Sequence, residues 1–177
     1  MKALVIYWSK TGFTEKHAKW IAEELNADLI SGKKVEEDML NEYDMLVFGG
    51  SLHAVGINGA QFIKKNIDII KDKKTAIFAT GASPGRKEVI EEVKAKNFSR
   101  EELSSFRFFY LRGGFDFNRL SFKDKMLMRL MKWKLNKKKK SSEKLTEDEQ
   151  GMLDAFDNPV DFTDQNNIQE LIDYLKS

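Results

Sequence analysis

The first fourteen residues join an apolar run to a short turn that is rich in hydroxyl groups. The run from Ala3 to Trp8 has the composition of a buried strand, and a helical pattern begins directly after the turn. The turn from Ser9 to Thr14 (SKTGFT) holds three hydroxyl side chains and one glycine. A helix N-terminus offers N–H groups and a partial positive charge, so this strand, turn and helix predict a site for an anion.

The turn differs from the common nucleotide-binding loops. It contains neither GKS or GKT nor G-x-G-x-x-G, which argues against an NTPase P-loop and against a Rossmann dinucleotide site. A short loop with hydroxyl groups suits the terminal phosphate of a monoester. The turn by itself leaves two interpretations open, a phosphate site or an ordinary strand-to-helix connection that binds no ligand.

Apolar, strand-like runs alternate with helical patterns along the rest of the chain. The predicted strands are 2–8, 28–30, 44–50, 74–81 and 107–114, and the predicted helices are 13–25, 59–70, 85–96, 99–105 and 165–176. Apolar strands separated by helices indicate a parallel sheet that is covered on both faces. Such a sheet binds ligands beyond the carboxyl ends of its strands. The loops expected at that edge are 9–14, 50–56, 80–85 and 113–116.

Residues 9–14 resemble the phosphate-binding loop of the flavodoxins, which reads T/S-x-T-G-x-T. Ser9, Thr11, Gly12 and Thr14 fall on the matching positions. The resemblance covers nearly the whole chain and implies a flavodoxin-like α/β fold, a doubly wound five-stranded parallel sheet with helices on both faces and an insertion in the fifth strand. It also implies a single domain, 1–177, that binds the ribityl phosphate of flavin mononucleotide (FMN) without a covalent bond.

The resemblance further implies which residues bind the cofactor. The phosphate would be held by Ser9, Lys10, Thr11, Gly12, Phe13 and Thr14. The loops after the third and fourth strands would flank the isoalloxazine ring, and two glycines after the fifth strand would lie at the same edge. The residues expected in these places are Ser51, Leu52, His53, Thr80, Gly81, Ala82, Ser83, Gly113 and Gly114.

Three details of these loops leave alternatives open. Neither ring loop has the tyrosine or tryptophan that usually stacks on the flavin, so His53 is the π-bearing candidate there, with a surface polar residue as the alternative. Trp8 either walls the ribityl chain or packs in the core. The loops also lack the acidic cluster of low-potential flavodoxins, which argues against a very low reduction potential.

The composition excludes several kinds of chemistry. The chain has 177 residues, no cysteine and two histidines, so we expect no disulfide, no iron–sulfur cluster and no metal site. No apolar stretch approaches the ~20 residues of a membrane span, and the first apolar run is too short for a signal peptide. We also expect no catalytic constellation of side chains, because a bound flavin would carry the chemistry.

Positive charge is concentrated in one segment. The whole chain carries +2, but residues 119–140 hold ten Lys or Arg and one Asp, which gives +9. The other residues hold 20 Lys or Arg and 27 Asp or Glu, which gives −7. The segment belongs to an excursion at about 116–158, before a predicted final edge strand at 159–163, as in long-chain flavodoxins. This charge pattern predicts a partner surface.

The excursion contains a predicted helix with two apolar stripes. At 100° per residue one stripe comprises Phe122, Met126, Leu130 and Trp133, and the other comprises Leu127, Met128, Met131 and Leu135. A basic face is formed by Lys125, Arg129 and Lys132. One stripe can pack on the protein and leave the other exposed, as in a helix that lies on an anionic membrane. The alternative is a solvated helix whose apolar side completes the core.

The same region resembles a second group of proteins. Leu111 to Gly114 (LRGG), Phe117 to Arg119 (FNR) and the helix from Phe122 to Lys132 are similar to the menaquinone-dependent protoporphyrinogen oxidases. This resemblance rests on about 25 residues. It implies an enzyme that takes electrons from a porphyrinogen and passes them to a quinone at the membrane, with the basic face as the anion contact.

Three functions follow from these observations. The preferred one is an FMN-binding redox protein that acts in electron transfer or as an FMN-dependent oxidoreductase, with a redox protein, a small molecule or a quinone as its partner. The alternatives are the oxidase-like enzyme and a non-redox binding module with the same fold. We expect no nucleic-acid partner, because the basic run is short and has no aromatic sheet surface beside it. We expect a cytoplasmic protein, either free or in peripheral contact with the inner face of the membrane through 119–140.

Overall fold

The computed structural model describes residues 1–141 and 144–177, and its centre is a parallel sheet. Five strands lie side by side in the order β2-β1-β3-β5-β6, and β4 extends the end of β3 as an antiparallel hairpin. This arrangement confirms the predicted doubly wound α/β fold. The strands are β1 (Ala3–Trp8), β2 (Asp28–Ser31), β3 (Met45–His53), β4 (Gly56–Ile57), β5 (Lys74–Gly81), β6 (Arg107–Arg112), β7 (Gly114–Phe115) and β8 (Val160–Asp161).

Both faces of the sheet are covered by helices. Along β1, Ala3 and Val5 belong to one buried cluster, while Leu4 and Ile6 belong to the other, as expected from the alternation of side chains along a strand. The first cluster includes residues of α1 and α8, and the second includes residues of α2, α3 and α4. The helices are α1 (Phe13–Leu25), α2 (Ala60–Lys65), α3 (Ile67–Ile70), α4 (Lys87–Asn97), α5 (Arg100–Leu103), α6 (Phe122–Lys140), α7 (Glu147–Asp157) and α8 (Gln169–Lys176).

The predicted helix over 59–70 is two helices, because Asn66 interrupts it. The side-chain amide of Asn66 donates a hydrogen bond of 2.8 Å to the carbonyl of Phe62. Asn66 is 2% exposed and has φ −107° and ψ 19°, outside the helical region. An asparagine that bonds to the backbone in this way competes with the helical hydrogen bonds.

The chain forms two compact units. Unit 1 comprises Met1–Gly113 and Phe162–Ser177, and unit 2 comprises Gly114–Asp161. Unit 2 includes the excursion predicted at about 116–158; the single-domain description stays a prediction. The prediction of a final edge strand at 159–163 is wrong in its partner, because β8 pairs antiparallel with β7 instead of joining the parallel sheet.

The chain leaves unit 1 after Gly113 and returns to it at Phe162, and these two residues contact each other within unit 1. The N–H of Phe162 donates a hydrogen bond of 2.8 Å to the carbonyl of Gly113. The guanidinium carbon of Arg112 lies 3.7 Å from the centre of the Phe162 ring. The last residue of unit 1 before the excursion therefore contacts the first residue after it.

Candidate functional site

Helix α1 begins at Phe13, within the predicted phosphate loop 9–14, and no side chain caps it. Gly12 occupies the N-cap position with φ 94°, a left-handed conformation that glycine adopts at little cost. The Oγ of Ser9 accepts a hydrogen bond of 3.0 Å from the N–H of Gly12, which folds the loop back on itself. The N–H of Lys16 donates to the carbonyl of Gly12 at 2.9 Å. The N–H groups of residues 13–15 thus have no acceptor within the helix and are oriented to bind an anion.

Two threonine hydroxyl groups are buried near this edge of the sheet. Thr14, in the first turn of α1, is 1% exposed, and Thr80, near the end of β5, is 5% exposed. Within 1–141 and 144–177, neither Oγ1 has a hydrogen-bond partner. A buried hydroxyl without a partner costs about 1–3 kcal/mol, so each one calls for an explanation. Thr14 fits an anion bound at the start of α1, because its hydroxyl is a hydrogen-bond donor in that first turn.

Strand β3 carries the next predicted residues into a hairpin. Ser51 is buried, Leu52 is half-buried and His53 is exposed. All three belong to the strand, so the prediction that they lie in a loop is wrong. The chain reverses at Ala54, which has φ 51°, and returns through β4.

Two asparagines hold this hairpin in place. The Nδ2 of Asn58 donates to the carbonyl and to the Oγ of Ser51, each at 2.8 Å. Asn97 on α4 accepts a hydrogen bond of 2.8 Å from the N–H of Ile57 and donates one of 2.7 Å to the carbonyl of Val55. Sequence analysis missed Asn97 because its hairpin partners lie 40 and 42 residues away in the chain.

Strand β6 holds the loop that follows β5. The hydroxyl of Tyr110 donates to the carbonyl of Ser83 at 2.8 Å, and the Nε of Arg112 donates to the carbonyl of Ala82 at 3.2 Å. Gly81 leaves room for this contact, since a Cβ there would lie 2.6 Å from the Tyr110 oxygen. Sequence analysis missed Tyr110 and Arg112 because they lie in a run that reads as a buried strand.

The phenol of Tyr110 is kept protonated by its surroundings. Burial raises the pKa of this phenol above its ordinary value of 10.0, and the charge of Arg112 lowers the pKa to a smaller extent. At neutral pH the hydroxyl therefore remains a donor to the carbonyl of Ser83.

Residues from all four predicted loops approach one another closely at the carboxyl edge of the sheet. A Cβ on Gly113 would lie 2.5 Å from Cγ2 of Thr80 and 3.2 Å from Cβ of Phe13. The N–H of Gly113 also donates to the carbonyl of Gly81 at 2.7 Å. A Cβ on Gly81 would lie 3.0 Å from Cδ1 of Leu52. The start of α1, the end of β3, the end of β5 and the end of β6 thus lie next to one another.

The remaining predicted residues contribute differently. Lys10 is exposed and Thr11 is half-buried, both in the loop before α1. Gly114 is the first residue of unit 2, and its part in the site stays a prediction. The indole of Trp8 lies 6.5 Å from the ring of Phe48 and 5.5 Å from the ring of Phe62, so core packing is the better of its two interpretations.

Within unit 2, helix α6 exposes one predicted apolar stripe and covers the other only in part. The stripe of Phe122, Met126, Leu130 and Trp133 is exposed. In the second stripe Leu135 is buried and Met128 and Met131 are half-buried, but Leu127 is 53% exposed. The predicted basic face turns towards aromatic rings of the same unit. Lys125 and Arg129 lie 6.0 and 5.8 Å from the Phe117 ring centre, and Lys132 lies 5.0 Å from the Phe156 ring centre. Lys132 also forms an ion pair of 2.9 Å with Asp157.

Comparison with known protein families identifies the fold family. A family model described as the flavodoxin domain matches residues 4–142, which is more than half of the chain. This chain belongs to the flavodoxin domain family. The flavodoxin domain here has the strand order 2-1-3-4-5 when its five parallel strands are numbered along the chain. In this order the direction of winding changes between the first and third strands, beside the loop that starts α1.

Three individual proteins illustrate what this chain is similar to. An uncharacterized protein of Methanocaldococcus jannaschii, MJ0298, is 38% identical over 105 residues, which cover 55% of this chain and 69% of the relative. A solved flavodoxin from the domain Archaea is 20% identical, covers 72% of this chain and 90% of its own, and superposes with a TM-score of 0.45. Oxidised Flavodoxin 2 from Bacillus cereus is 19% identical, covers 63% of this chain and 86% of its own, and has a TM-score of 0.41.

The residues of the flavodoxin domain fit the phosphate of a flavin. The start of α1 offers an uncapped helix N-terminus and the buried hydroxyl of Thr14, which has no partner among the described residues, and no acidic side chain lies in the loop from Ser9 to Thr14. Among the described helices, none combines the length and apolar character needed to cross a membrane.

Proposed function

We propose that this flavodoxin-domain protein binds FMN and serves as a redox protein, in electron transfer or as an FMN-dependent oxidoreductase. The observation that carries the proposal is the buried hydroxyl of Thr14, which has no hydrogen-bond partner in the described chain and lies in the first turn of an uncapped helix. A phosphate at the N-terminus of α1 would accept a hydrogen bond from this hydroxyl and from the backbone N–H groups of the same turn.

The other edge residues would shape the rest of the cofactor site. Asn97 and Asn58 fix the β3 hairpin, and Tyr110 and Arg112 fix the loop after β5, so both walls are held by hydrogen bonds to the sheet or to α4. Rigid walls favour binding because less conformational entropy is lost when a ligand is ordered between them. When bound, a flavin supplies the electron-transfer chemistry, and the protein tunes its potential.

The decisive experiment compares FMN with riboflavin, which lacks the phosphate. The absorption spectrum of the purified protein should show flavin bands, or flavin fluorescence should be quenched when FMN is added. Riboflavin should bind at least a hundredfold more weakly than FMN. Dithionite should bleach the bound flavin, and ferricyanide should restore its colour.

Two results would contradict this proposal. If micromolar protein neither contains nor binds flavin, the non-redox binding module becomes the better interpretation. If riboflavin binds as tightly as FMN, the start of α1 is not the phosphate site.

A second candidate is an enzyme like the protoporphyrinogen oxidases. The exposed apolar stripe of α6 favours this candidate, because a quinone acceptor dissolves in lipid and an exposed apolar surface can contact lipid. The flavin-loaded protein should then oxidise protoporphyrinogen with menaquinone as acceptor. Arg129→Glu is the sharper test of the basic face, because Lys132→Glu would also repel Asp157. Arg129→Glu should slow turnover without releasing flavin, and normal kinetics with both substrates would contradict this role.

A further inference from the structure

Helix α6 exposes an apolar stripe that the described part of unit 2 leaves largely uncovered. Phe122 is 76%, Met126 58%, Leu130 50% and Trp133 59% exposed, and together they span about 80° of the helix surface. Along the axis the stripe is roughly 17 Å long from Phe122 to Trp133, at 1.5 Å per residue. Contiguous exposed apolar side chains of this size mark an interaction surface.

The opposite side of α6 faces α7 of the same unit. Leu135 is 8% exposed, and Leu153 of α7 is 7% exposed. Lys138 forms an ion pair of 2.8 Å with Glu149 of α7. This pair lowers the pKa of the Glu149 carboxyl, chiefly through the hydrogen bond from Lys138. Since one face of α6 is fixed on α7, the exposed stripe must face outward from unit 2.

Basic side chains border the stripe on both sides. On a 100° wheel with Phe122 at 0°, Lys123 and Lys134 lie near 100–120° on one side and Arg129 lies near 340° on the other, and all three are exposed. Lys137 lies within the stripe, with its Nζ 5.7 Å from the Trp133 ring. Lysine stems of this kind cover apolar surface while their charges remain at its rim.

Negative charge is kept away from the stripe. The single acid of α6, Asp124, lies near 200° on the wheel and accepts a hydrogen bond of 2.9 Å from the Oγ of Ser121. Two acids of α7, Glu149 and Asp157, are paired with lysines of α6. Among the residues of α6 itself, the exposed face therefore combines apolar side chains with positive charge.

We infer that α6 lies on the surface of an anionic lipid bilayer, with Phe122, Met126, Leu130 and Trp133 inserted among the lipids and the flanking cations on the headgroups. A bilayer fits better than a protein partner, because its surface carries negative charge on all sides of an inserted apolar stripe. Tryptophan at the level of the headgroups is typical of such contacts. Membrane binding by α6 does not depend on flavin binding, so it can be tested separately from the proposed function.

The experiment is co-sedimentation of the full-length protein with two kinds of vesicle. One is an equimolar mixture of phosphatidylglycerol and phosphatidylcholine, and the other is phosphatidylcholine alone. The protein should bind the anionic vesicles at least tenfold more tightly, and added salt should weaken that binding. Bromine-labelled acyl chains should quench its tryptophan fluorescence.

Matched variants separate the apolar contribution from the charge contribution. Phe122→Ser with Trp133→Ser, and Lys123→Glu with Lys134→Glu, should each weaken binding to anionic vesicles at least tenfold. The controls are Leu29→Ser with Met152→Ser and Lys33→Glu with Lys34→Glu, which change exposed residues elsewhere by the same chemistry. Both controls should bind like the wild type. Trp133→Phe should still sediment but lose the bromine quenching.

Several outcomes would overturn the inference. One is a wild-type protein that ignores anionic vesicles, and another is a set of variants that bind no differently from their controls. If only charge reversal weakens binding, the stripe does not insert. A third outcome is a wild-type protein that does not bind vesicles but forms a dimer. If the double variant Phe122→Ser with Trp133→Ser is then a monomer, the stripe is a self-association surface instead. Unchanged circular dichroism of each variant excludes loss of folding as the cause.

Discussion

Replacing Thr14 with valine removes one hydroxyl oxygen and keeps the branched shape of the side chain. In the described chain this hydroxyl is buried and has no hydrogen-bond partner, so the flavin-free protein loses no interaction. We expect the free energy of unfolding of the flavin-free protein to stay the same or to rise by up to about 1 kcal/mol, because a polar group is no longer buried unpaired.

The same substitution should lower the affinity of the protein for FMN. A hydrogen bond to a charged group contributes about 1.5–3 kcal/mol, so its loss should weaken FMN binding roughly tenfold to a hundredfold. Urea denaturation of the flavin-free protein and fluorescence titration with FMN measure the two quantities. Riboflavin affinity should not change, since riboflavin has no phosphate to lose.

Thr75→Val is the matched control. Thr75 is also 1% exposed, but it lies near the amino end of β5, and its Oγ1 donates to the carbonyl of Ile70 at 3.3 Å. Its replacement should destabilise the protein by about 1 kcal/mol and leave FMN affinity unchanged. The reasoning is refuted if Thr14→Val destabilises the flavin-free protein as much as Thr75→Val does, or if FMN affinity stays within twofold of the wild type.

Three further substitutions test residues that build the edge of the sheet, and a fourth, in α7, serves as a control for the first. Gly12→Ala should lower the free energy of unfolding by about 1–2 kcal/mol because φ is 94°, whereas Gly151→Ala, in the open middle of α7, should raise it by about 0.5–1 kcal/mol; urea denaturation measures both. Asn97→Ala should cost about 2–3 kcal/mol and accelerate hydrogen exchange at the Ile57 amide, so unchanged exchange would contradict its role in the hairpin. Tyr110 has a raised pKa, so its neutral form stabilises the fold up to pH 10 and this contribution is lost as pH rises further. The fall in stability above about pH 10 should be shallower in Tyr110→Phe than in the wild type.

The sheet could be predicted because its signal is local. Each central strand is apolar throughout, and each predicted strand has an observed counterpart, so composition and spacing were enough. The turn before α1 was equally visible, since its residues are consecutive and the helical pattern follows at once. Gly113 lies close to Thr80 and Phe13 because the strands are parallel and neighbouring, so no single strand predicts this contact by itself.

The support of the site could not be predicted in the same way. Asn97 and Tyr110 act on backbone groups far away in sequence, and their own neighbourhoods read as an ordinary helix and strand. The end of β3 was misassigned because Ser51 and His53 are polar, although the strand continues through them by pairing of Ser51 with β5 and of His53 with β4. The partner of β8 depends on β7, a strand of two residues that no pattern distinguishes from a loop.

The hydrogen bond between Phe162 and Gly113 means that the segment between them could be inserted or removed as one piece. Because the two ends of the excursion already meet inside unit 1, residues 114–161 form a cassette whose removal leaves a gap that one tight turn can span. Closing so short a loop costs little entropy, so gain or loss of the cassette need not disturb the sheet. Different cassettes could then be exchanged at this point, each giving the same flavodoxin domain a different surface.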